Sequence, residues 1–522
     1  MTVVDEIAEL AQAMAARPAR LHGIVWHGAD THPDAPALFE NGRTISYAEL
    51  AGTVGRAAGL LRDHGVRAGD RVMIIGENSF ALVELLFAIS TLDAWAVMVN
   101  ARLSAREIDT VREHCGARRT IYLDRDSPEA AAHADRHQAI RLDLGNAGAV
   151  RISPLNADCT PEPVHAGRDQ QVAALIYTSG TTGNPKGVML THGNLLFIAA
   201  TSSTLRHIRS GDRVYGVLPI SHVYGLASVC LGTLFGGGCV HLEARYTPEK
   251  MAIALRDGGI TVCQGVPAMY AKLLEWLNAR GEALRPPPLR FLYAGGSPLD
   301  PALKRDAEAH FLLPLHNGYG LTEAAPTISQ TRQEQPRADC SVGRAIPHIE
   351  VRLVDTNGCD VAAGEAGELW VRGPNVMKGY YRNPAMTATV INADGWLNTG
   401  DLARREADGA LFIVGRTKEL IIRSGFNVYP IEVEAVLNAH PEVTHSAVVG
   451  RAVVGNEEVV AFVDCVPGAT IDEAGLIAFA AESLAPYKRP AEIIFLSPLP
   501  AAANGKVLKH KLRELLKAQP AT

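Results

Sequence analysis

Residues 173–190 read AALIYTSGTTGNPKGVML. The apolar run Ala173–Tyr177 ends in a loop with four hydroxyl side chains, Thr178, Ser179, Thr181 and Thr182, and three glycines, Gly180, Gly183 and Gly187. Glycines let backbone N–H groups approach an anion closely, hydroxyls add donors, and Lys186 adds a point charge suited to phosphate. A Walker loop needs glycine directly before its lysine and serine or threonine directly after it; here Pro185 precedes Lys186 and Gly187 follows. A plain Gly/Ser/Thr surface turn has the same composition and stays open as an alternative. The immediate return into Val188–Leu190 brackets the loop tightly, as a ligand clamp requires.

On both sides of this loop, short apolar runs alternate with helical patterns. Arg71–Ile75 precedes a helix over Phe80–Leu92. Downstream come strands at Arg213–Leu218, Thr261–Gln264, Arg290–Ala294 and Leu312–Leu315, and helices over Pro248–Arg256, Pro267–Ala279 and Pro298–His310. Strand and helix alternating at this spacing predict parallel sheet covered by helices. After about residue 340, Glu350–Val354 and Glu368–Val371 alternate apolar and polar residues between turns, which predicts antiparallel sheet or a small barrel. Beyond Gly415 a small α+β pattern takes over, with strands at Leu420–Ile422, Ala447–Val449, Val459–Val463 and Glu492–Phe495 and helices over Ile431–Ala439, Asp472–Leu484 and Lys509–Lys517. The expected fold class is α/β: a large N-terminal domain, 1–416, of parallel helix-covered sheets with a small β-barrel-like subdomain, then a small mobile α+β domain, 417–522.

The whole chain has 522 residues, 47% of them hydrophobic and 20% charged, enough for several cores and unlike a disordered chain. A net charge of -6 disfavours a dedicated nucleic-acid binder. The eight cysteines show no CxxC spacing, so neither a zinc ribbon nor a redox dithiol is expected; a reducing compartment with buried, inert thiols is. Asp5, Glu6 and Glu9 stand where a signal peptide would be basic and then apolar. Charged residues or glycines interrupt the two most apolar stretches, Ala81–Asn100 and Val217–Val240, so no membrane span is expected. These readings place the protein in the cytoplasm.

YTSGTTGNPKGVMLTHGN (residues 177–194) resembles the signature of the adenylate-forming superfamily, which holds acyl-CoA synthetases, peptide-synthetase adenylation domains and beetle luciferases. Asn317–Glu323 (NGYGLTE) resembles its second motif, Gly395–Asp401 (GWLNTGD) the third, Gly415–Ile421 (GRTKELI) the hinge, and Asn504–Lys506 (NGK) the last. The motifs stand in family order, and the likeness covers about residues 30–515. It implies an ATP-dependent carboxylate–CoA ligase of the fatty-acid–CoA branch, with ATP, Mg2+ and coenzyme A and no nucleic-acid partner, as monomer or homodimer. A stand-alone adenylating enzyme that loads a carrier protein is the alternative, weakened by the lack of a fused carrier domain.

The resemblance also implies roles for single residues. Thr178, Ser179, Gly180, Thr181, Thr182, Gly183 and Lys186 would cradle phosphates. Gly295, Gly296, Ser297, Asn317, Gly318, Tyr319, Gly320 and Thr322 would line the nucleotide and acyl groups, with Tyr319 against adenine. Asp401 and Arg416 would hold the ribose, and Glu323 the Mg2+. Lys506 would stabilise charge on the reacting oxygens. His222 would stand at the mouth of the acyl site, with Ser221 where relatives carry an aromatic, and Gly425 would lie against the pantetheine arm. Taken alone, each has a plainer reading: an Asx turn for Asp401, a helix-start acid for Glu323, a core aromatic for Tyr319, a solvated side chain for Lys506, a satisfied structural imidazole for His222. The acyl stretches the family implies, around His222–Leu226, Val266–Tyr270, Ala294–Ser297 and Gly318–Gly320, contain no Arg or Lys. A second buried carboxylate would need a cation, so an apolar fatty or aryl monocarboxylic acid is expected.

Overall fold

The computed structural model describes residues 3–178, 186–286, 288–423, 426–453, 456–501 and 507–518. Two large sheets carry the N-terminal part. In the eight-stranded sheet, Val172–Thr178, Trp95–Asn100, Arg71–Gly76 and Arg119–Tyr122 run parallel at the centre. All six residues of Arg71–Gly76 are buried, the pattern of a strand covered on both faces. In the nine-stranded sheet the parallel strands are Pro36–Glu40, Cys239–Leu242, Arg213–Gly216, Val262–Gly265, Phe291–Ala294 and Leu315–Gly320. Helices Pro248–Asp257, Pro267–Asn278 and Pro301–Phe311 connect them.

Two helices fill the space between the sheets. Phe80–Thr91 starts where Ser79 accepts a hydrogen bond from the Leu82 N–H, and Phe80 through Ser90 are all buried. His192–Leu205 starts with a capping box made by Thr191 and Asn194. Phe87, Phe197 and residues of both sheets such as Leu38 and Ile74 belong to one core. A helix with protein on every side has no use for a polar face, which explains why Phe80–Thr91 falls in one of the two most apolar stretches of the sequence. Among the described residues no helix is long and apolar enough to cross a membrane.

Several local expectations shift. The helix expected from Pro298 begins at Pro301, because the Asp300 carboxylate accepts from the Ala302 and Leu303 N–H groups at 2.8 and 3.1 Å and proline suits the first helical position. The strand expected at Leu312–Leu315 begins at Leu315; Leu312, 66% exposed at φ 55°, is the left-handed cap of the preceding helix. The sheets also carry antiparallel edges: Val172–Thr178 pairs antiparallel with Lys186–Thr191, so the glycine-rich loop joins a hairpin. Of the eight cysteines, five are buried, Cys340 and Cys465 are partly buried, and Cys359 is exposed, which corrects the uniform burial expected of them.

Strands Glu350–Val354, Ala366–Arg372, Leu397–Arg405 and Leu411–Arg416 form the smaller antiparallel sheet. Beyond it, Val443–Val453 and Asn456–Cys465 make a long hairpin with Glu492–Phe495 added in parallel. Val448, Val459 and Ala461 face helices Pro430–Asn438 and Glu473–Ser483 through Val433, Leu437 and Leu476. Val449, Val460 and Phe462 face Leu512 of helix Lys509–Ala518. Both cores are drawn from residues after 420.

Candidate functional site

The base of the glycine-rich loop is fixed by its flanks. Thr178 and Lys186 face each other across the hairpin. A Cβ on Gly187 would sit 3.2 Å from the Tyr177 ring, and the Tyr177 hydroxyl is 2.7 Å from His114 Nδ1. The short strand Gly379–Tyr380 pairs with the other side of the hairpin, Tyr380 opposite Val188. The Lys186 ammonium consequently lies 5.3 Å from the centre of the Tyr380 ring. The Tyr380 hydroxyl donates to Glu323 Oε1 at 2.8 Å. Burial, reinforced by the Glu323 carboxylate, pushes the Tyr380 phenol far above its ordinary pKa, so it stays a donor. Sequence reading missed Tyr380; nothing in GYYRNP announces that its first tyrosine joins the loop lysine to the motif carboxylate.

A second cluster lies beside the first. Asp401 and Arg416 are register partners on adjacent strands. Asp401 is 4% exposed, its Oδ1 2.9 Å from Arg416 Nε, and its Oδ2 accepts from the Tyr319 hydroxyl. Burial and then the Asp401 charge move the Tyr319 phenol well above its usual pKa. Burial works against the Arg416 charge, but Asp401, Glu419, Tyr319 and Glu323 outweigh it and raise its pKa. Each carboxylate oxygen keeps a second lone pair, so Asp401 can still accept from ligand hydroxyls. Lys418 is exposed; burial of its stem and the nearby Arg416 and Lys186 charges lower its pKa. Asp401, Arg416, Lys186, Glu323 and Lys418 therefore feel one another across a single region of the molecule.

The structure distributes the remaining expected residues unevenly. Thr322 is buried at the start of the short turn carrying Glu323. The Asn317 amide, expected at the nucleotide, instead donates to the Cys340 and Ser341 carbonyls at 3.1 and 3.2 Å and accepts from the Gly318 N–H, so it holds the strand end in shape. Gly318 is required by close packing, since a Cβ there would meet the Tyr293 hydroxyl at 1.8 Å; one on Gly320 would meet the Pro326 carbonyl at 2.1 Å. Gly295 is buried against the Tyr293 and Tyr224 rings, Gly296 turns the chain at φ +84°, and Ser297 is half-buried. His222 is exposed just before the π-helical segment Tyr224–Leu231, its Nδ1 accepting from the Tyr224 N–H at 3.3 Å. Ser179, Gly180, Thr181, Thr182, Gly183, Gly425 and Lys506 lie outside the described residues.

A divalent cation would find one hard ligand here. Glu323 is half-buried with one oxygen on Tyr380, and among the described residues no group of three His, Cys, Asp or Glu side chains could cage a metal. That fits Mg2+, which is commonly held by one or two carboxylates with phosphate and water completing its shell.

The family model for AMP-binding enzymes matches residues 25–381, and the model for the C-terminal domain of AMP-binding enzymes matches 432–506. A feruloyl-CoA synthase from Amycolatopsis is 37% identical over 490 residues, covering 92% of this chain and 96% of the relative. An indoleacetate–CoA ligase from Aromatoleum aromaticum is 33% identical over 496 residues, covering 94% and 96%. The crystal structure of an o-succinylbenzoate-CoA synthetase from Bacillus subtilis, in complex with its acyl-adenylate intermediate, superimposes with a TM-score of 0.80 at 30% identity, covering 94% of this chain and 97% of that one. All three are named for joining an acid to CoA, which favours CoA over a carrier protein as acceptor. The chain belongs to the AMP-binding enzyme family, in its acyl-CoA synthetase branch, and is an AMP-forming acid–thiol ligase that uses ATP, Mg2+ and coenzyme A.

Proposed function

We propose that the acid is an aryl monocarboxylic acid. One observation carries this reading: beside Gly295, Tyr224 and Tyr293 meet edge to face at 6.2 Å, and Phe291 stacks on Tyr293. A wall of packed rings favours a flat ring over a flexible chain, which would lose more rotational freedom on binding. The names of the aryl relatives support the same reading.

The acid's carboxylate oxygen attacks the α-phosphorus of ATP and pyrophosphate leaves. The CoA thiolate then attacks the acyl carbon, and AMP leaves with the bonding electron pair. Thr178, Lys186 and the loop between them hold the phosphates, with Thr322 at the α-phosphate and Tyr380 orienting Glu323. Glu323 would hold Mg2+, which neutralises phosphate charge. Asp401 and Arg416 hold the ribose through charge-assisted hydrogen bonds. Lys506 stabilises charge as the carboxylate attacks, and Gly425 lies along the pantetheine arm once the C-terminal unit has turned. His222 guards the mouth of the acyl site. The units divide at 416/417, and the enzyme works in the cytoplasm as a monomer or homodimer.

The test is a panel of benzoate, cinnamate, phenylacetate and C6–C16 fatty acids, read as AMP release that depends on both acid and CoA. At least one aryl acid is expected to exceed every fatty acid in kcat/KM by tenfold or more; a C8–C16 acid as the best substrate would overturn the aryl reading.

A further inference from the structure

Packed against the tyrosine wall is a fully buried cation that sequence reading did not anticipate. Arg206 follows helix His192–Leu205 and is 0% exposed. Its guanidinium stacks over the Tyr293 ring at 4.5 Å, Nη2 is 3.2 Å from Gln330 Oε1, and Nη1 is 3.5 Å from the Ser228 carbonyl. No carboxylate pairs with it among the described residues. The acids nearby are engaged elsewhere: Asp212 with Arg290 at 2.6 Å, and Glu334 with His207 at 2.7 Å.

The surroundings are short of partners as well. Arg206 Nε, Gln330 Nε2, the Tyr224 hydroxyl and both amide atoms of Gln264 are buried without a hydrogen-bond partner. These groups converge on one place. Gln264 neighbours Tyr293 in the sheet register, Tyr224 packs edge-on to Tyr293, and Gln330 and Arg206 touch each other above it. The same Tyr293 hydroxyl reaches Gly318, so the cluster backs directly onto the Gly295 and Gly318 stretches. Buried polar groups in native proteins are almost always paired, and Arg206 Nε, unlike its two Nη groups, has no acceptor. Several unpaired polar atoms around one buried cation describe a site that a ligand completes.

We propose that Arg206 is a specificity-determining residue: it receives an acceptor oxygen at the end of the aryl acid remote from its reacting carboxylate, with Tyr224, Gln264 and Gln330 completing the shell. This deepens the aryl-acid reading and rests on it. The acceptor is a neutral phenolic or ether oxygen, in keeping with a monocarboxylic acid.

The experiment measures kcat/KM for cinnamate and its 4-methoxy, 4-hydroxy, 4-amino and 4-carboxy derivatives, with wild type, Arg206→Met and Arg206→Lys. Wild type is expected to favour an oxygen-bearing acid over cinnamate by about tenfold to hundredfold, the range of a buried hydrogen bond to a charged group. Methoxy and hydroxy derivatives rising together, with the 4-amino acid left behind, identify a neutral acceptor oxygen; the 4-carboxy acid alone rising overturns the neutral-oxygen proposal and the monocarboxylic reading beneath it. In Arg206→Met the ratio to cinnamate is expected to collapse toward one, mainly through KM of the substituted acid, and Arg206→Lys to fall between. A wild-type ratio at or below one, or a ratio unchanged in Arg206→Met, overturns the proposal and leaves Arg206 as a packing residue. The wild-type ratio decides even where a variant fails to fold. Acid-dependent pyrophosphate release with none of these acids, but with fatty acids, would instead fault the aryl-acid reading beneath it.

Discussion

The two ends of the chain are held together differently. Helix Phe80–Thr91 is buried from Phe80 through Ser90, and strand Arg71–Gly76 beside it is buried along its whole length. Helix Lys509–Ala518 touches its sheet through Leu512 and leaves Lys511, Glu514 and Leu515 exposed. Just before that helix comes the Asn504–Lys506 motif; just inside it, Lys509 reaches Glu419 of the hinge at 3.3 Å and Glu434 at 2.7 Å. A polar link from the hinge to the large lobe, the Thr417 hydroxyl on Glu368, is exposed. The large lobe thus fixes Asp401, Glu323 and Lys186 by burial and sheet register. The Lys509 pairs lie within residues 417–522, and the exposed Thr417 hydrogen bond reaches back to the smaller antiparallel sheet. Such an arrangement suits a fixed nucleotide site and a lysine that is delivered and withdrawn.

The largest effect should come from Lys506, proposed to be delivered for adenylation. Lys506→Ala is expected to slow acyl-adenylate formation at least 10²-fold, about 3 kcal/mol, read as acid-dependent pyrophosphate release. The large lobe's tight core makes a different claim. Burial raises the Glu84 pKa to about 7, above its ordinary 4.5, with Thr53 and Arg56 only partly offsetting it. A raised carboxyl pKa favours the folded state when protonated, so this contribution is lost as pH rises from about 4.5 through about 7. Glu84→Gln is accordingly expected to stabilise the protein at pH 8 by up to about 3 kcal/mol and to lose that advantage by pH 5, read as Tm at both pH values.

Next in size comes Asp401, proposed to hold the ribose. Asp401→Ala removes the acceptor for two donors and is expected to raise KM for ATP about 30-fold, equivalent to about 2 kcal/mol; an unchanged KM removes Asp401 from the nucleotide site. The smallest effect belongs to the tether. Burial alone would raise the Glu419 pKa, but Lys509 and Arg416 lower it below 4.5. Its stabilisation is present above 4.5 and fades as pH falls through the lowered value. Lys509→Met should cost about 1 kcal/mol at pH 7 and progressively less below pH 4.5, seen in denaturant midpoints.

Much of this was legible in the chain itself. The run ending at Thr178 is a strand because Val172–Ile176 are apolar and largely β-branched or small; the return into an apolar element at Val188–Leu190 was legible too, but its antiparallel pairing as the second arm of a hairpin was not. Asp401 and Arg416 were recognisable by motif, and the sheet register then explains why residues fifteen apart in sequence meet. What stayed hidden depends on distant contacts. Tyr380 matters because a two-residue strand adds to a sheet edge, which leaves no periodic trace. Arg206 lies in TLRHIRSGD, which reads as a basic surface turn. It is buried because the helix before it ends inside the core, beneath Tyr293 and Gln330, strands that follow much later. Asn317 was legible as a motif residue, but its structural use depends on the carbonyls of Cys340 and Ser341, which no local pattern brings near.

The most direct measurement separates the two half-reactions in Lys506→Ala. The variant is given chemically prepared acyl-adenylate and CoA, and the rate of acyl-CoA formation is compared with its rate of adenylate formation from acid and ATP. A small lobe that delivers Lys506 only for the first step predicts near-wild-type thioester formation beside the 10²-fold loss in adenylation. Equal losses in both steps would contradict a lysine that leaves the site before CoA arrives.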